Sequence, residues 1–404
     1  MEISRDKATH QQTRLYNRQL VLRTIYDAGE ISRAGIARLT GLNKVTVSEI
    51  VAGWIESGVV AEVGTRPPSG PEGGKASILL GVIDDAYHMI GIDISSSDLL
   101  GAVVNLRGRL LHTISQPLEY VDGQVPLEQL FGLVNNLLAL NDRPLLGIGI
   151  GAPGLMDASR GVVRQAVNTG WMNVPLAGVL KERYNTPVYL ANDGQVSALA
   201  EHTFGAGRGA ENLAVVLVNR GVSAGIILDG QLHHGDDFGA GEIGHLTIRP
   251  GGELCRCGRR GCLETVAGSL AIVQRSSALA SAHPQSILGQ YLARGPLTFE
   301  DVIAAYQAGD PDAHAVLEDA GLALGFGIAC ITSTLNIRRV VLIGSVTRSG
   351  KAWLQTVTRE LHQSVLPALA ENMQLSFGEV HPYAVILGAC ALLMNREIGF
   401  SLAR

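Results

Sequence analysis

Residues 242–264 read Glu-Ile-Gly-His-Leu-Thr-Ile-Arg-Pro-Gly-Gly-Glu-Leu-Cys-Arg-Cys-Gly-Arg-Arg-Gly-Cys-Leu-Glu, and they hold three of the chain's five cysteines. Cys255, Cys257 and Cys262 follow His245 by ten to seventeen residues. Three thiolates and one imidazole make a complete tetrahedral shell for Zn²⁺, and a shell with no open position is a structural one. Gly251, Gly252, Gly258 and Gly261 let a short backbone wrap such an ion closely. The plainer reading, three small buried hydrophobes, does not account for cysteines and glycines at this density. An ion that pins His245 and Cys262 also fixes the direction of Glu242, three residues earlier, and Glu264, two residues later. Rigid paired carboxylates are good acceptors for sugar hydroxyls.

The 404 residues around this loop are enough for two to three domains with ample core. A content of 46% hydrophobic and 17% charged residues describes a compact soluble protein. The net charge of −5 does not suggest nucleic acid, but its distribution is uneven. Residues 1–80 hold ten Lys/Arg against eight Asp/Glu (+2), and the other 324 residues hold 22 against 29 (−7). A slightly basic head on an acidic body fits a small DNA-binding module joined to something else. The opening Met-Glu-Ile-Ser-Arg-Asp-Lys lacks the apolar core of a signal peptide. The most apolar stretch, Gly321 to Leu335, is interrupted by Thr332, Ser333 and Thr334 and reads as a buried helix, so no membrane insertion is expected. Cysteines that suit a metal better than disulfides point to a reducing, cytoplasmic setting.

Residues 1–82 carry the signals of a winged helix-turn-helix. A helix is predicted from Gln11 to Asp27, with Leu15, Leu22 and Ile25 on one face. Ser32 suits the N-cap of a second helix, Arg33 to Thr40, and Gly41 supplies a tight turn. Asn43 suits the cap of a third, reaching about Ser57, whose Val47, Ile50, Val51 and Trp54 face inward. That leaves Lys44, Thr46 and Ser48 near its start for major-groove base edges. Strands at Val59–Val63 and Ala76–Leu80 would flank a Gly/Pro-rich loop, a wing whose Arg66 and Lys75 would lie near phosphate, as would Arg33. The expected DNA-contacting set is thus Ser32, Arg33, Asn43, Lys44, Thr46, Ser48, Arg66 and Lys75. A packing or dimerisation module of three helices is the alternative.

Beyond Tyr87 three apolar strands, His88–Ile94, Leu99–Asn105 and Arg109–Ser115, precede a helix at Leu127–Leu140 and a buried strand at Pro144–Gly151. This β-β-β-α-β order opens an actin-like, hexokinase-type lobe of α/β class. The strand Val188–Ala191 ends in Asn192–Asp193, with a helix expected from Ser197. Ligands bind at the carboxyl ends of strands in open α/β sheets, so the pair is a candidate for sugar contact. Further strands are expected at Leu213–Val218, Gly225–Leu228 and Arg339–Ile343, helices at Leu270–Ala280, Phe299–Ala308, Asp312–Ser333 and Ala352–Val365, and a last helix at Val385–Asn395.

The motifs Glu242-x-Gly-His245 and Cys255-x-Cys257-Gly-x-x-Gly-Cys262-x-Glu264 resemble the signature of the ROK family, which groups sugar kinases with sugar-responsive repressors. Ile31-Ser-Arg-Ala and Thr46-Val-Ser in the head resemble ROK repressors of the NagC/XylR/Mlc group, and Gly74-Lys75-Ala76 departs from the Gly-Arg-Pro frequent there. The resemblance spans essentially the whole chain. It implies a head at 1–82, a first lobe at 83–194 completed by about 385–404, and a second lobe at 195–384 with a zinc loop at 245–262. It implies structural Zn²⁺ on His245, Cys255, Cys257 and Cys262. It also implies a monosaccharide or sugar phosphate held by Asn168, which opens an Asn-x-x-Trp loop ending at Trp171, with Asn192, Asp193, Glu242, His245 and Glu264. In the kinases the matching Asp is the general base.

The same resemblance marks what is altered. The family's phosphate turn Asp-x-Gly-x-Thr is here Asp93-Ile-Ser95-Ser-Ser97, its Gly-Thr-Gly is Asn219-Arg220-Gly221, and its Gly-Gly is Gly344-Ser345. ATP elements are damaged where sugar elements persist. The expectation is therefore a sugar-responsive repressor acting on double-stranded operator DNA as a homodimer or dimer of dimers, without catalysis. A sugar kinase bearing a DNA-binding head, or a repressor relieved by a phosphotransferase-system protein, are the alternatives.

Overall fold

A computed structural model describes residues 10–67, 76–95, 97–119, 127–166 and 169–399. The N-terminal part is three helices and a small sheet: α1 (His10–Ala28), β1 (Ile31–Ser32), α2 (Arg33–Thr40), α3 (Lys44–Glu56), β2 (Val60–Arg66) and β3 (Ser77–Val82). Ser32 caps α2 by accepting from the Gly35 amide, and Asn43 caps α3 by accepting from that of Thr46, which satisfies donors that a helix start leaves unpaired. Gly41 ends α2 in the left-handed region. Val21, Leu22 and Ile25 of α1 pack with Ile36, Val47, Val51 and Trp54. Leu15, expected in that face, is 57% exposed. The Trp54 indole donates to the Arg18 carbonyl while the Arg18 guanidinium covers the ring, so this contact meets α1 nearly a turn beyond Leu15. The strand order is β1-β3-β2. Because β2 runs on to Arg66, that residue ends a strand and does not sit in the loop expected for it.

The first large sheet has the order β11-β7-β4-β5-β6, from β4 (His88–Ile94), β5 (Asp98–Asn105), β6 (Leu110–Pro117), β7 (Leu145–Ala152) and β11 (Val188–Asn192). Helix α4 (Leu127–Leu140) buries Leu130, Leu133, Val134 and Leu137 on one side of it. Sequence reasoning did not find the short antiparallel sheet β8 (Leu155–Asp157), β9 (Val162–Ala166) and β10 (Trp171–Val174), nor α5 (Leu176–Tyr184). Helix α6 (Asp193–Thr203) starts directly after β11 and not at Ser197. The Asn192 side chain accepts from the Gly194 and Gln195 amides, so it is the N-cap.

The second sheet has the order β14-β13-β12-β15-β16, with β12 (Leu213–Val218), β13 (Val222–Leu228), β14 (Gln231–Leu232), β15 (Arg339–Ile343) and β16 (Gln374–Phe377). Val222 and Ala224 pair with Val218 and Val216. The turn expected over seven residues therefore shrinks to Asn219–Gly221, and Ser223 lies on a strand. Helices α7 (Glu264–Ala267), α8 (Ser269–Ala282), α9 (Ile287–Leu292), α10 (Phe299–Gln307), α11 (Pro311–Leu335), α12 (Gly350–Gln363) and α13 (Pro367–Ala370) follow the chain through this half. Among the described residues α11 alone is long and apolar enough to cross a membrane, and 67% of its apolar window is buried in the protein. The last helix, α14 (Ala384–Glu397), returns to lie against α6, β4 and β7.

Candidate sugar pocket and metal centre

One cavity of about 460 Å³ lies between the two sheets, a volume that suits a small ligand. Asn192, Asp193, Glu242, His245 and Glu264 all line it, so five of the six sugar-contact candidates converge; the sixth, Asn168, lies outside the described residues. Asn192 donates to the Gly154 carbonyl as well as capping α6. Asp193 accepts from its neighbour's amide, Gly194, and from the Ser223 hydroxyl on the opposite sheet at 3.1 Å. Among the lining residues that were not sugar candidates are Asp93 near the end of β4, Ser223 and Gln165. Asp93 was read only as part of an altered phosphate turn. Ser223 had no local signal, since its place depends on the pairing of β13 with β12.

Burial and neighbouring charge disfavour ionisation at three of the cleft's carboxylates. Burial, then the charges of Asp193 and Asp98, push Asp93 up to about 8. Burial, then Asp193 and Glu264, push Glu242 up to about 7. Burial also raises Asp193, against the donors Gly194 and Ser223. A carboxyl that keeps its proton is a donor as well as an acceptor, so the pocket presents both halves of what hydroxyls require.

His245, Cys255, Cys257 and Cys262 each offer one ligand atom, all within 4.8 Å of one another. Bonds of about 2.3 Å to sulfur and 2.0–2.1 Å to nitrogen at tetrahedral angles imply edges of about 3.8 Å (S···S) and 3.6 Å (S···N). The Cys257–Cys262 sulfurs are 3.7 Å apart, and Cys255 Sγ lies 3.6 Å from His245 Nδ1. The donor set therefore fits a four-coordinate ion. Nδ1 faces the sulfurs, and Nε2 lies 3.9 Å from Glu242. The loop closes on itself through Cys255 N–H to Arg259 O and Leu263 N–H to Leu246 O. Gly261, at φ 76°, passes so close to the Arg249 carbonyl that a Cβ would stand 1.6 Å from it, and only glycine fits there. Glu264, the first residue of α7, accepts from Cys255 Sγ at 3.1 Å.

The phosphate side differs. The Ser95 hydroxyl accepts from the Ser97 and Asp98 amides at 3.2 and 2.9 Å. Asn219 Oδ1 accepts from the Ser345 amide at 2.9 Å. The first two N–H groups belong to a turn that would cradle phosphate and the third to the Gly344–Ser345 pair at the nucleoside end, and each already has a partner. Arg220 lines the cavity beside them.

On the head, Lys44 and Ser48 are exposed and Thr46 half-buried at the start of α3, beside Val45, which is 68% exposed and was not foreseen. Ser32 and Asn43 spend their side-chain oxygens as caps. Arg33 is paired with Glu62 of β2 at 3.3 Å. Arg66 is exposed, and Lys75 lies outside the described residues.

A two-lobed α/β body with a carboxylate-lined cleft beside a Cys₃His loop defines the class, and comparison with known proteins identifies it. A sequence model of the ROK family matches residues 89–396, and the chain belongs to that family. A xylose repressor of Caldicellulosiruptor bescii is 30% identical over 396 residues, covering 95% of this chain and 96% of that protein. A glucokinase of Halalkalibacterium halodurans is 32% identical over 319 residues, covering 76% of this chain and 95% of the kinase. The crystal structure of a ROK family transcriptional regulator, a homologue of the Escherichia coli MLC protein, superposes with a TM-score of 0.84 at 26% identity, covering 96% of this chain and 98% of that one.

Proposed function

We propose that this protein is a sugar-responsive transcriptional repressor: the head is a winged helix-turn-helix that binds operator DNA, and the cleft binds a monosaccharide or sugar phosphate that releases it. The observation that carries this reading is the contrast inside the cleft. Its sugar side brings Asp193, Glu242 and Glu264 together on the cavity, while on the nucleotide side the amides of Ser97, Asp98 and Ser345 are already bonded to Ser95 and Asn219. The comparisons support it, since likeness to the xylose repressor extends over 95% of the chain, head included, and likeness to the glucokinase stops at 76%.

In this reading α3 enters the major groove, with Lys44, Thr46 and Ser48 reading bases and Val45 offering apolar contact to a thymine methyl. Arg33, Arg66 and Lys75 meet phosphate. The ion on the Cys₃His set is Zn²⁺, one per chain, and it supplies a structural cross-link that fixes Glu242 and Glu264. His245 holds it by Nδ1, and Nε2 is left for Glu242 or a sugar hydroxyl. Sugar binding favours a closed arrangement of the lobes by population shift. In a homodimer, closure respaces two heads that must match half-sites about 34–36 Å apart.

Calorimetry of the zinc-loaded protein with D-xylose, D-glucose, N-acetylglucosamine and their phosphates, with DNA retention measured alongside, tests this. One of these compounds should bind and weaken DNA binding. Binding of none of them, with release from DNA by a phosphotransferase protein instead, would shift control to a protein partner. A second reading, a ROK sugar kinase, is favoured by Asp193 standing at the place of the kinase base and by the glucokinase likeness.

A further inference from the structure

Helix α6 begins at the sugar pocket and ends at the head. At its start, Asn192 and Asp193 line the cavity, and Asp193 bonds across the cleft to Ser223. Its eleven residues span about 16 Å at the usual rise per residue. Along that length it is gripped on two sides: a Cβ at Gly388 of α14 would stand 1.7 Å from the Val196 carbonyl, and one at Gly225 of β13 would stand 2.2 Å from that of Gly194. Packing this close leaves little room for the helix to bend or slip locally.

Three parts of the molecule meet at the far end. Glu201, buried, accepts from the amides of Ala206, Glu379 and Val380, and so ties the helix to the segment between β16 and α14. Phe204, the residue that ends the helix, sits on the turn between β5 and β6. Gly108 of that turn has φ 77°, and a Cβ there would lie 2.9 Å from the Phe204 ring. The next residue back, Arg107, reaches into the head: its guanidinium lies 4.0 Å from the Tyr26 ring of α1 and donates to the Tyr26 carbonyl at 2.7 Å. Tyr26 in turn donates through its hydroxyl to the Leu106 carbonyl at 3.0 Å. His202, in the last turn of α6, has its pKa lowered by burial and next by the charge of Arg23, also on α1.

We propose that α6 carries effector occupancy from the pocket to the head, and that the joint it acts through is Phe204 on the Arg107–Gly108 turn, where Tyr26 of α1 is seated. The inference rests on the reading of the cleft as a sugar site. A sugar that engages Asn192 and Asp193 biases the position of the helix start. Because the helix is rigid, its end shifts against a turn that holds α1 by one stacking contact and two hydrogen bonds. Both sites thereby bias the same element, which is what coupling between separate sites requires.

The test uses full-length zinc-loaded protein, a duplex selected by the wild type from a random pool, and whichever of D-xylose, D-glucose, N-acetylglucosamine or their phosphates binds. Calorimetry gives sugar affinity, and fluorescence anisotropy gives duplex affinity with and without saturating sugar. In the wild type the sugar should weaken the duplex within the usual coupling range of about 5–150-fold. In Arg107→Ala and Phe204→Leu the sugar affinity and the sugar-free duplex affinity should stay within about threefold of wild type, while the sugar's effect on the duplex falls below about twofold. A part-exposed arginine leaves no core cavity when truncated, so Arg107→Ala decides alone if Phe204→Leu misfolds. Wild-type release in Arg107→Ala, with sugar bound, overturns the proposal. Failure of the wild type to bind any of the sugars or their phosphates fells the reading of the pocket, and the coupling with it, before a variant is made.

Discussion

The candidate sugar side and the nucleotide side of this cleft are built on the same two sheets and are furnished differently. On the sugar side, Asp193, Glu242 and Glu264 face the cavity from positions set by a helix start, a loop and a donor cluster that can hold a metal. On the nucleotide side, Ser95 occupies the Ser97 and Asp98 amides of a candidate phosphate turn, and Asn219 occupies the Ser345 amide at the nucleoside end. Recognition needs fixed acceptors, whereas phosphoryl transfer is almost entirely positioning and charge stabilisation of phosphates. In the proposed reading, a few side-chain hydrogen bonds on the nucleotide side separate the two.

The largest expected effect comes from attacking what fixes the sugar side. Cys257→Ser should drop zinc from about one per chain to near zero by elemental analysis, and should abolish sugar binding by calorimetry, because a three-ligand site lacks the closed shell. Intact sugar binding in metal-free protein would mean that the carboxylates are fixed by packing alone. Next, Asp193→Asn should weaken sugar by about 10–100-fold, the worth of about 1.5–3 kcal/mol for a hydrogen bond to a charged group. A coupled ADP-release assay should find no turnover in either protein. Turnover near about 1 s⁻¹ that vanished with Asp193→Asn would make the chain a kinase and dissolve the contrast.

The phosphate side can be reopened. Ser95→Gly with Arg220→Gly frees the Ser97 and Asp98 amides and removes a bulky side chain, so ATP–Mg²⁺ binding should become measurable by calorimetry, about tenfold or more above the wild type. No gain would place the block elsewhere. The smallest effect is a pH dependence. Asp93 holds its proton to about pH 8 in the folded chain and loses it near 3.8 when unfolded. The unfolded state thus binds fewer protons between these values, and stability falls as pH rises through them. Asp93→Asn should flatten that fall by about 1–2 kcal/mol between pH 5 and 8 in denaturant titrations, discounted from 1.36 kcal/mol per pKa unit because the carboxyl faces an open cavity.

Much of this was legible from residues alone, and the reasons differ by region. The bounds of α4 and the caps at Ser32 and Asn43 are local properties, readable from spacing and residue type. The Cys₃His loop was legible because few structures explain that density of cysteine and glycine. The start of α6 was misplaced because Asn-Asp-Gly reads as a turn, whereas here Asn192 caps a helix that opens at Asp193. The strands β8–β10 are three to five residues long, too short for periodicity to register. Asp93 and Ser223 enter the pocket through sheet pairing and the approach of two distant segments, which no window of sequence contains.

The return of α14 to the first sheet has a mechanical consequence. The chain leaves the first sheet at β11 and rejoins it at α14, so the whole second sheet and its helices are inserted between two crossings. A body tethered once can swivel and twist, whereas a body tethered twice is restricted to rocking about the line that joins its tethers. Glu201 brings those tethers together, since it sits on the outgoing crossing and binds the amides of Glu379 and Val380 on the returning one. The pivot is therefore narrow and lies next to the joint with the head. The two crossings are thus bound to each other at Glu201, a few residues before Phe204 and its contact with the Arg107–Gly108 turn.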